Sequence, residues 1–263
     1  MNAVVFLDLD GTLWDWGVVP DSAREAIRRA QANGHKILTN TGRARSEVPD
    51  ITYQLGLDGF CFSAGAEVIL DGKTIVDEPL PEDVVRQVVA VFDSFGLNYS
   101  LESGEGSWIC VNDEDAYQLH LSKIDDAPDS IFRAPRVEKM KPADWQHIHK
   151  TFYHGGDPSY AEVVAAMPKG VALTELGLGF AEAMAAGVNK ATAMEAVRAH
   201  LGANAWRSMA CGDSDNDLAM LRAVDVSVAM GNGNANAKAA ATWVTTDLHD
   251  DGLFNAFAHF GLL

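Results

Sequence analysis

The sequence predicts an α/β protein: a doubly wound, Rossmann-like parallel-sheet core domain with an inserted α+β domain. Short apolar runs alternate with helical segments near both ends of the chain, a pattern typical of a parallel sheet covered by helices. Three of these runs end in polar tips, where doubly wound sheets bind their ligands. Between the two stretches, helices cluster with strand pairs. We therefore expect a core domain at 1–79 and 186–263 and an inserted domain at 80–185.

Length and composition narrow the class of protein. The chain has 263 residues and a mass of 28.3 kDa, enough to bury a substantial core, and 48% of its residues are hydrophobic. Acidic residues outnumber basic ones 37 to 20, which gives a net charge of -17 and a surface that repels nucleic acid and anionic lipid. Neither nucleic acid nor a membrane is an expected partner. A phosphorylated substrate would need help from a metal or a lysine to approach.

Cysteine usage and the lack of targeting signals predict a cytoplasmic protein. The cysteines Cys61, Cys110 and Cys211 form no CxxC pair, which suits a reducing compartment. The first residues lack the basic region and long apolar run of a signal peptide, and no apolar run is long enough to span a membrane. We expect a monomer or a small homo-oligomer.

The N-terminal part predicts alternating strands and helices. Pro20-Asp21-Ser22 opens a helix, and Gly34 follows it as the C-cap. The apolar stripe of this helix consists of Ala23, Ala26, Ile27 and Ala30. A second helix is predicted at 45–55, and strands are predicted at 4–7, 35–41, 59–63, 68–70 and 73–76. The last two strands form a hairpin, because Asp-Gly between them is typical of a type I′ turn.

The middle and the end of the chain differ in their predicted pattern of secondary structure. The middle predicts helices at 82–95 and 160–167 and strands at 97–101, 107–111, 147–153, 171–174 and 179–184. The polar stretch at 113–142 predicts no element. Towards the C-terminus the α/β pattern resumes, with strands at 208–211, 226–230 and 243–245. Helices are predicted at 191–201, from Leu218 to Val224, in the alanine-rich stretch after Asn234, and at 253–260.

The tip of the first strand carries two acidic residues in Asp8-Leu9-Asp10-Gly11-Thr12. Alternate side chains of an extended stretch share a face, so Asp8 and Asp10 can address one site. Neighbouring buried carboxylates repel each other and persist only where a cation or a proton compensates them. A turn or helix cap would also use Asp and Gly here, so this motif alone leaves both interpretations open.

A second acidic tip, Gly212-Asp213-Ser214-Asp215-Asn216-Asp217, follows a later strand. If the strands are neighbours, Asp213 and Asp217 meet Asp8 and Asp10 in one crevice at the carboxyl ends of the sheet. Oxygen ligands with no His or Cys at matching spacing favour Mg2+ over zinc. Mg2+ takes one or two carboxylates and a substrate phosphate oxygen, which leaves one aspartate for chemistry.

Three residues after the second strand and one lysine are candidates for binding phosphate. Thr41 supplies a hydroxyl, and Gly42 supplies a backbone N–H where a helix is expected to begin; Arg43 is adjacent. Lys190 could balance both the carboxylates and a transferring phosphoryl group. Taken singly, Thr41 could be an N-cap and Lys190 a solvated helix end. The two acidic tips, Thr41 and Lys190 together, in this chain order, form a far more specific signal than any one of them.

This set resembles the motifs of the haloacid dehalogenase superfamily. The motif at Asp8 looks like its first motif, Thr41 its second, Lys190 its third, and the run from Gly212 to Asp217 its fourth. The inserted domain lies between the second and third motifs, which is similar to the Cof-type branch with a type IIB cap. One departure is Ser63-Ala64-Gly65-Ala66, where many relatives carry an Asn-Gly pair.

The resemblance implies roles for the acidic residues. Asp8 would attack phosphorus and form an aspartyl-phosphate, and Asp10 would protonate the leaving oxygen and then activate water. Asp8, the backbone carbonyl of Asp10, and Asp213 would hold Mg2+. Asp217 would support the metal or the lysine.

The remaining roles concern phosphate binding. Lys190 and Thr41 belong to the catalytic set, and Asn216 could contact phosphate or the waters of the metal. The inserted cap would exclude water and select the leaving group.

The sequence therefore predicts a Mg2+-dependent phosphatase of small phosphorylated metabolites such as sugar phosphates. The nearest alternative is a phosphotransferase or mutase that uses the same intermediate and passes phosphate to a second hydroxyl. A non-catalytic sensor of phosphate ligands is a third reading, disfavoured because a sensor has no need of a proton-shuttling Asp10.

Overall fold

The computed structural model describes residues 2–15, 17–115, 117–118, 136–155, 158–177, 179–202 and 205–263. The chain divides into two compact units. The first contains Met1–Arg43, Pro49–Asp77 and Asn189–Leu263, and the second contains Ala44–Val48 and Glu78–Val188. The short segment Ala44–Val48 belongs to the second unit, whereas the sequence division assigns it to the core domain.

The described strands and helices follow the chain in an α/β order that the inserted unit interrupts. The strands are β1 (Ala3–Leu7), β2 (Lys36–Asn40), β3 (Gly59–Phe62), β4 (Glu67–Leu70), β5 (Lys73–Asp77), β6 (Asn98–Glu102), β7 (Ser107–Cys110), β8 (Lys150–His154), β9 (Val171–Gly177), β10 (Phe180–Ala185), β11 (Arg207–Gly212), β12 (Val226–Ala229) and β13 (Trp243–Val244). The α-helices are α1 (Asp21–Ala32), α2 (Asp50–Tyr53), α3 (Glu82–Ser94), α4 (Tyr160–Ala166), α5 (Lys190–Leu201), α6 (Leu218–Arg222), α7 (Ala235–Ala240) and α8 (Gly252–His259). None of the helices in the described ranges is both long and apolar enough to cross a membrane.

The first unit is built on an eight-stranded sheet in the order β13-β12-β11-β1-β2-β3-β4-β5. Neighbouring strands from β13 to β3 are parallel, and β4 and β5 add an antiparallel hairpin at one edge. Every residue of β1 is buried, as expected for a central strand with both faces covered. Since β1 lies between β2 and β11, the carboxyl ends of these three strands meet, and this is where doubly wound sheets bind ligands.

The helix α1 follows its predicted pattern, and the next predicted helix does not. The buried residues of α1 are the four predicted for its apolar stripe. The helix predicted at 45–55 is wrong, because a 3-10 turn at Arg45–Glu47 is separated from the short α2. Pro49 disfavours the helical conformation at the preceding residue, and Val48 is extended.

The second unit contains a five-stranded antiparallel sheet in the order β7-β6-β8-β10-β9. A cluster of buried apolar residues joins α3 and α4 to this sheet, and it includes Val85, Phe92, Leu101, Tyr153 and Val163. The alternation along β6 places Tyr99 and Leu101 in this core and sends Glu102 to the opposite face.

That opposite face carries a buried ionic cluster on three neighbouring strands. Lys150 Nζ lies 2.9 Å from an oxygen of Glu102 and 3.0 Å from an oxygen of Glu182, and all three side chains are nearly inaccessible. Burial disfavours the charged lysine, but the two glutamates outweigh that effect and raise the pKa of Lys150. The predicted strand at 147–153 begins later, at Lys150, and so brings this lysine opposite Glu102 and Met184.

Candidate active site

The first strand leads Asp8 into a buried position at the carboxyl edge of the sheet. The N–H of Asp8 donates to the carbonyl of Cys211 at 3.0 Å, which extends the ladder between β1 and β11 by one residue. The chain then turns at Gly11, whose φ is +78°. A Cβ on Gly11 would lie 2.7 Å from a carboxylate oxygen of Asp213, so the turn needs glycine for space as well as for conformation.

The loop after β11 is folded around the carboxylate of Asp217. One oxygen of this buried side chain accepts the backbone N–H groups of Asp213 at 2.8 Å and Ser214 at 3.1 Å. A Cβ on Gly212 would lie 2.5 Å from the carboxyl carbon of Asp217. The loop therefore presents Asp213 in a fixed direction, and this oxygen of Asp217 has little capacity left for another ligand.

Lys190 connects the two acidic tips. It is the first residue of α5 and is 1% exposed. Its Nζ donates to Asp8 Oδ1 at 2.5 Å, to Asp217 Oδ1 at 2.6 Å and to Asn216 Oδ1 at 3.3 Å. Burial disfavours its charge, but the carboxylates of Asp217 and Asp8 prevail and raise the pKa of Lys190. The lysine is held as a buried cation.

The beginning of α5 is itself anchored. The Asn189 side chain caps the helix by accepting the N–H groups of Ala191 and Thr192. The side-chain amide of Asn40, at the end of β2, donates to the carbonyl of Lys190 at 2.8 Å. These contacts fix the position of the Lys190 backbone at the beginning of α5.

The carboxylates of the site fit a divalent cation. Asp8, Asp213 and Asp217 each place a carboxylate oxygen within 4.8 Å of the other two. Within the described ranges, this is the cluster of Asp, Glu, His or Cys side chains that could hold a metal ion. Burial and then the charge of Asp217 raise the pKa of Asp8 well above its usual range. The same two causes raise the pKa of Asp213 to about 6. Since both Asp217 oxygens are engaged, Asp8 and Asp213 are the carboxylates that best suit the oxygen-preferring Mg2+.

Asp10 is placed differently from Asp8. Its side chain is 52% exposed and forms a two-point pair with Arg43, with Nε to Oδ2 and Nη2 to Oδ1 both at 2.8 Å. The structure places the Arg43 guanidinium on Asp10. The phosphate-binding role that the sequence predicts for Arg43 stays a prediction. The Asp10 side chain is not part of the carboxylate group that could hold a metal, and coordination through its backbone carbonyl stays a prediction.

Thr41 and Gly42 lie at the end of β2, as predicted, but no helix begins there. The N–H of Thr41 donates to the carbonyl of Cys61 at 2.9 Å, and its hydroxyl accepts the N–H of Arg43 at 3.1 Å. The next helical residues are the 3-10 turn at Arg45–Glu47. The predicted helix start at Gly42 is therefore wrong, and phosphate binding by Thr41 and Gly42 stays a prediction.

Two residues that the sequence does not predict for the site support the acidic tips. Thr12 Oγ1 donates to Asp213 Oδ1 at 3.2 Å. The Asn232 amide donates to the carbonyl of Gly11 at 2.7 Å, and its oxygen accepts the N–H of Leu248 at 3.0 Å. A signal was present, because Gly231-Asn232-Gly233-Asn234 follows a predicted strand at the same edge of the sheet.

The sequence and the fold are both similar to those of known proteins. Residues 5–257 match the family of haloacid dehalogenase-like hydrolases. The chain is 25% identical to the 5-amino-6-(5-phospho-D-ribitylamino)uracil phosphatase YcsE of Bacillus subtilis, over 98% of this chain and 96% of that protein. It resembles the structure of BT4131, a sugar phosphatase of subclass IIB, with a TM-score of 0.83, 25% identity and full coverage of both chains. The chain spans only 54% of a longer Streptococcus pyogenes relative, with 26% identity.

The parallel sheet with its inserted antiparallel unit, together with the buried carboxylate–lysine site, defines a haloacid dehalogenase-like phosphatase of the Cof type with a type IIB cap. The chain belongs to the haloacid dehalogenase-like hydrolase family. The fold class, the family resemblance and the enzyme class predicted from the sequence are thereby confirmed.

Proposed function

We propose that the protein is a Mg2+-dependent phosphatase that hydrolyses small phosphorylated metabolites, above all sugar phosphates, through an aspartyl-phosphate on Asp8. The observation that carries the proposal is the buried Asp8 carboxylate, which accepts a hydrogen bond from Lys190 and lies beside Asp213. The family match and the named phosphatase relatives support it.

Asp8 is the proposed nucleophile. Lys190 binds its Oδ1, which leaves Oδ2 to attack phosphorus. The P–O bond to the leaving group breaks as the Oδ2–P bond forms, and water later cleaves the acyl phosphate to restore Asp8 and release phosphate. Asp8, Asp213 and the Asp10 carbonyl would hold Mg2+, which when bound supplies charge neutralisation for the phosphate oxygens.

Asp10 is the proposed acid and base, since it is half exposed at the same strand tip. It gives a proton to the departing oxygen and takes one back from the attacking water. Because the transition state of phosphoryl transfer is loose and rich in charge, positioning and electrostatics supply most of the rate.

The other residues of the set position the phosphate or the lysine. Lys190 neutralises charge on the transferring group, and Asp217 keeps the lysine in place through its 2.6 Å contact. Thr41 and Gly42 are proposed to donate to phosphate oxygens. Asn216, already 3.3 Å from the lysine, is proposed to contact phosphate or the waters of the metal.

Two named relatives support the proposed substrate class. BT4131 is a sugar phosphatase, and the substrate of YcsE carries its phosphate on a ribityl chain. Both are phosphate esters of polyhydroxylated alkyl groups. Such alcohols are poor leaving groups, and a proton donor such as Asp10 suits them.

Phosphate release from sugar phosphates and from p-nitrophenyl phosphate tests the proposal, in Mg2+ and in EDTA. We expect Asp8→Asn to lower turnover by about 10³-fold or more, as loss of a nucleophile does. Asp71→Asn, at the hairpin turn away from the site, is the matched control and should keep full activity. Full turnover by Asp8→Asn would contradict the proposal.

The same assay distinguishes the alternatives. Transfer of phosphate to an added sugar instead of to water would favour the phosphotransferase or mutase. Ligand binding without turnover, under every condition, would favour the sensor. A cytoplasmic location and a monomer or small homo-oligomer stay predictions.

A further inference from the structure

Arg43 is held in place from three directions. Its N–H donates to the Thr41 hydroxyl at 3.1 Å, and its carbonyl accepts the N–H of Ser63 at 2.8 Å. Its guanidinium carbon lies 5.4 Å from the ring centre of Trp14, a buried residue. The fork of the guanidinium then meets both oxygens of Asp10 at 2.8 Å. The backbone, an aromatic face and a carboxylate together define one position for this side chain.

The contact with Asp10 is of the kind that fixes orientation. Two parallel N–H···O bonds hold a carboxylate in one plane, which a single lysine contact cannot do. An ionised carboxylate has about four lone-pair sites. Arg43 occupies one on each oxygen, so the others stay open to a leaving oxygen or a water. Without this pair, a half-exposed aspartate would sample several rotamers.

We propose that Arg43 is a positioning residue that holds the acid and base Asp10 for proton transfer, and that it does not bind the substrate phosphate. This inference rests on the proposed phosphatase function and deepens it. It assigns Arg43 a different task from that of Lys190, which contacts the nucleophile and not Asp10. The loss of activity on removing Arg43 should therefore depend on how much the leaving group needs a proton.

The test compares two esters on the same preparation of enzyme. An alkyl phosphate such as a sugar phosphate needs its leaving oxygen protonated, whereas p-nitrophenolate departs with little help. Arg43→Gln should lower kcat/KM for the alkyl ester by about 10- to 100-fold, part of what a positioned acid contributes. It should lower kcat/KM for p-nitrophenyl phosphate by less than about 3-fold on the same grounds. The ratio of the two values is unaffected by any unfolded fraction.

A double-mutant cycle with Asp10→Asn makes the test stricter. If Arg43 acts through Asp10, adding Arg43→Gln to Asp10→Asn should change kcat/KM for the alkyl ester by less than about 2-fold. Arg43→Lys keeps the charge but not the fork, so it should recover only part of the loss. Arg86→Gln removes an exposed pair with Glu82 and is the control, with no expected effect on the ratio.

Each outcome decides the role of Arg43. An equal loss for both esters, multiplied again in the Asp10→Asn background, would show a phosphate ligand and overturn the inference. An unchanged ratio in Arg43→Gln would overturn it as well. A wild-type enzyme that hydrolyses neither ester would contradict the proposed function itself, before any variant is compared.

Discussion

Lys190 places a single positive charge among three carboxylates, those of Asp8, Asp213 and Asp217. Burial makes this excess of negative charge costly. Burial and the nearby charge of Asp217 therefore raise the pKa values of Asp8 and Asp213. A proton or a divalent cation at these oxygens relieves the same repulsion. Proton and cation therefore compete for the site.

This competition predicts how pH and Mg2+ affect thermal stability. Because the folded pKa of Asp213 is about 6, above its unfolded value, the folded chain binds more protons between about pH 4 and 6. Without metal, the contribution of Asp213 to stability should be greatest below this window and fall as the pH rises through it. Mg2+ should then raise Tm by about 3–6 °C at pH 7.5 and by much less at pH 5, measured by differential scanning fluorimetry.

Asp213→Asn separates this effect from general salt stabilisation. The variant should lose most of the Mg2+-dependent rise in Tm at pH 7.5, whereas Asp71→Asn should retain it. Sodium chloride at matched ionic strength gives the baseline. An equal response to Mg2+ at both pH values would contradict the assignment of these carboxylates.

At the scale of elements, the N-terminus of α5 depends on a glycine in the turn after β3. Gly65 has a φ of +112°, and a Cβ there would lie 2.9 Å from Ala193 Cβ and 3.0 Å from the carbonyl of Asn189. The two residues before it, Ser63 and Ala64, are also left-handed, at φ +47° and +52°. This strained turn supports the helix that carries Lys190.

Gly65→Ala should therefore cost both stability and activity. Left-handed backbone and overpacking together predict a loss of about 2–4 kcal/mol in the free energy of unfolding, measured with urea. The displaced helix should also lower kcat. Gly72→Ala is the matched control, because its φ is +74° but open space surrounds it, so only about 1–2 kcal/mol should be lost. Equal effects of the two substitutions would show that close packing at Gly65 does not matter.

Features set by the order of parallel strands could be predicted from the sequence, whereas contacts between loop side chains could not. The tips at Asp8, Thr41 and Asp213 were predictable, because the ends of neighbouring parallel strands meet whatever the loops do. The Arg43–Asp10 pair and the Asn232–Gly11 bond depend on side-chain directions in loops, which no periodicity encodes. The predicted helix across Pro49 ignored the restriction that proline places on its predecessor.

Charge patterns were equally hard to interpret for the second unit. A lysine in a strand normally indicates an exposed edge, yet Lys150 is buried in the central strand of its sheet. Its two glutamate partners come from distant parts of the chain, on β6 and β10. Only the sheet order places the three side chains together.

At the scale of the whole molecule, each unit has its own buried apolar core. One cluster includes Phe6, Leu38 and Val197, and the other includes Phe92, Leu101 and Tyr153. A change that damages one core need not damage the other directly. The ionic cluster around Lys150 allows this separation to be measured.

Lys150→Met should loosen the second unit selectively. It leaves two buried glutamates without their cation, and breaking a buried pair in this way costs about 3–5 kcal/mol. Amide hydrogen exchange in β6, β8 and β10 should accelerate by about 10²- to 5 × 10³-fold, the same free energy expressed as a rate ratio. Exchange in β1 and β11 should change little. Arg86→Met, which removes an exposed pair in the same unit, should shift exchange by less than about 5-fold. Equal acceleration in β1 and β8 would show instead that the two cores unfold as one.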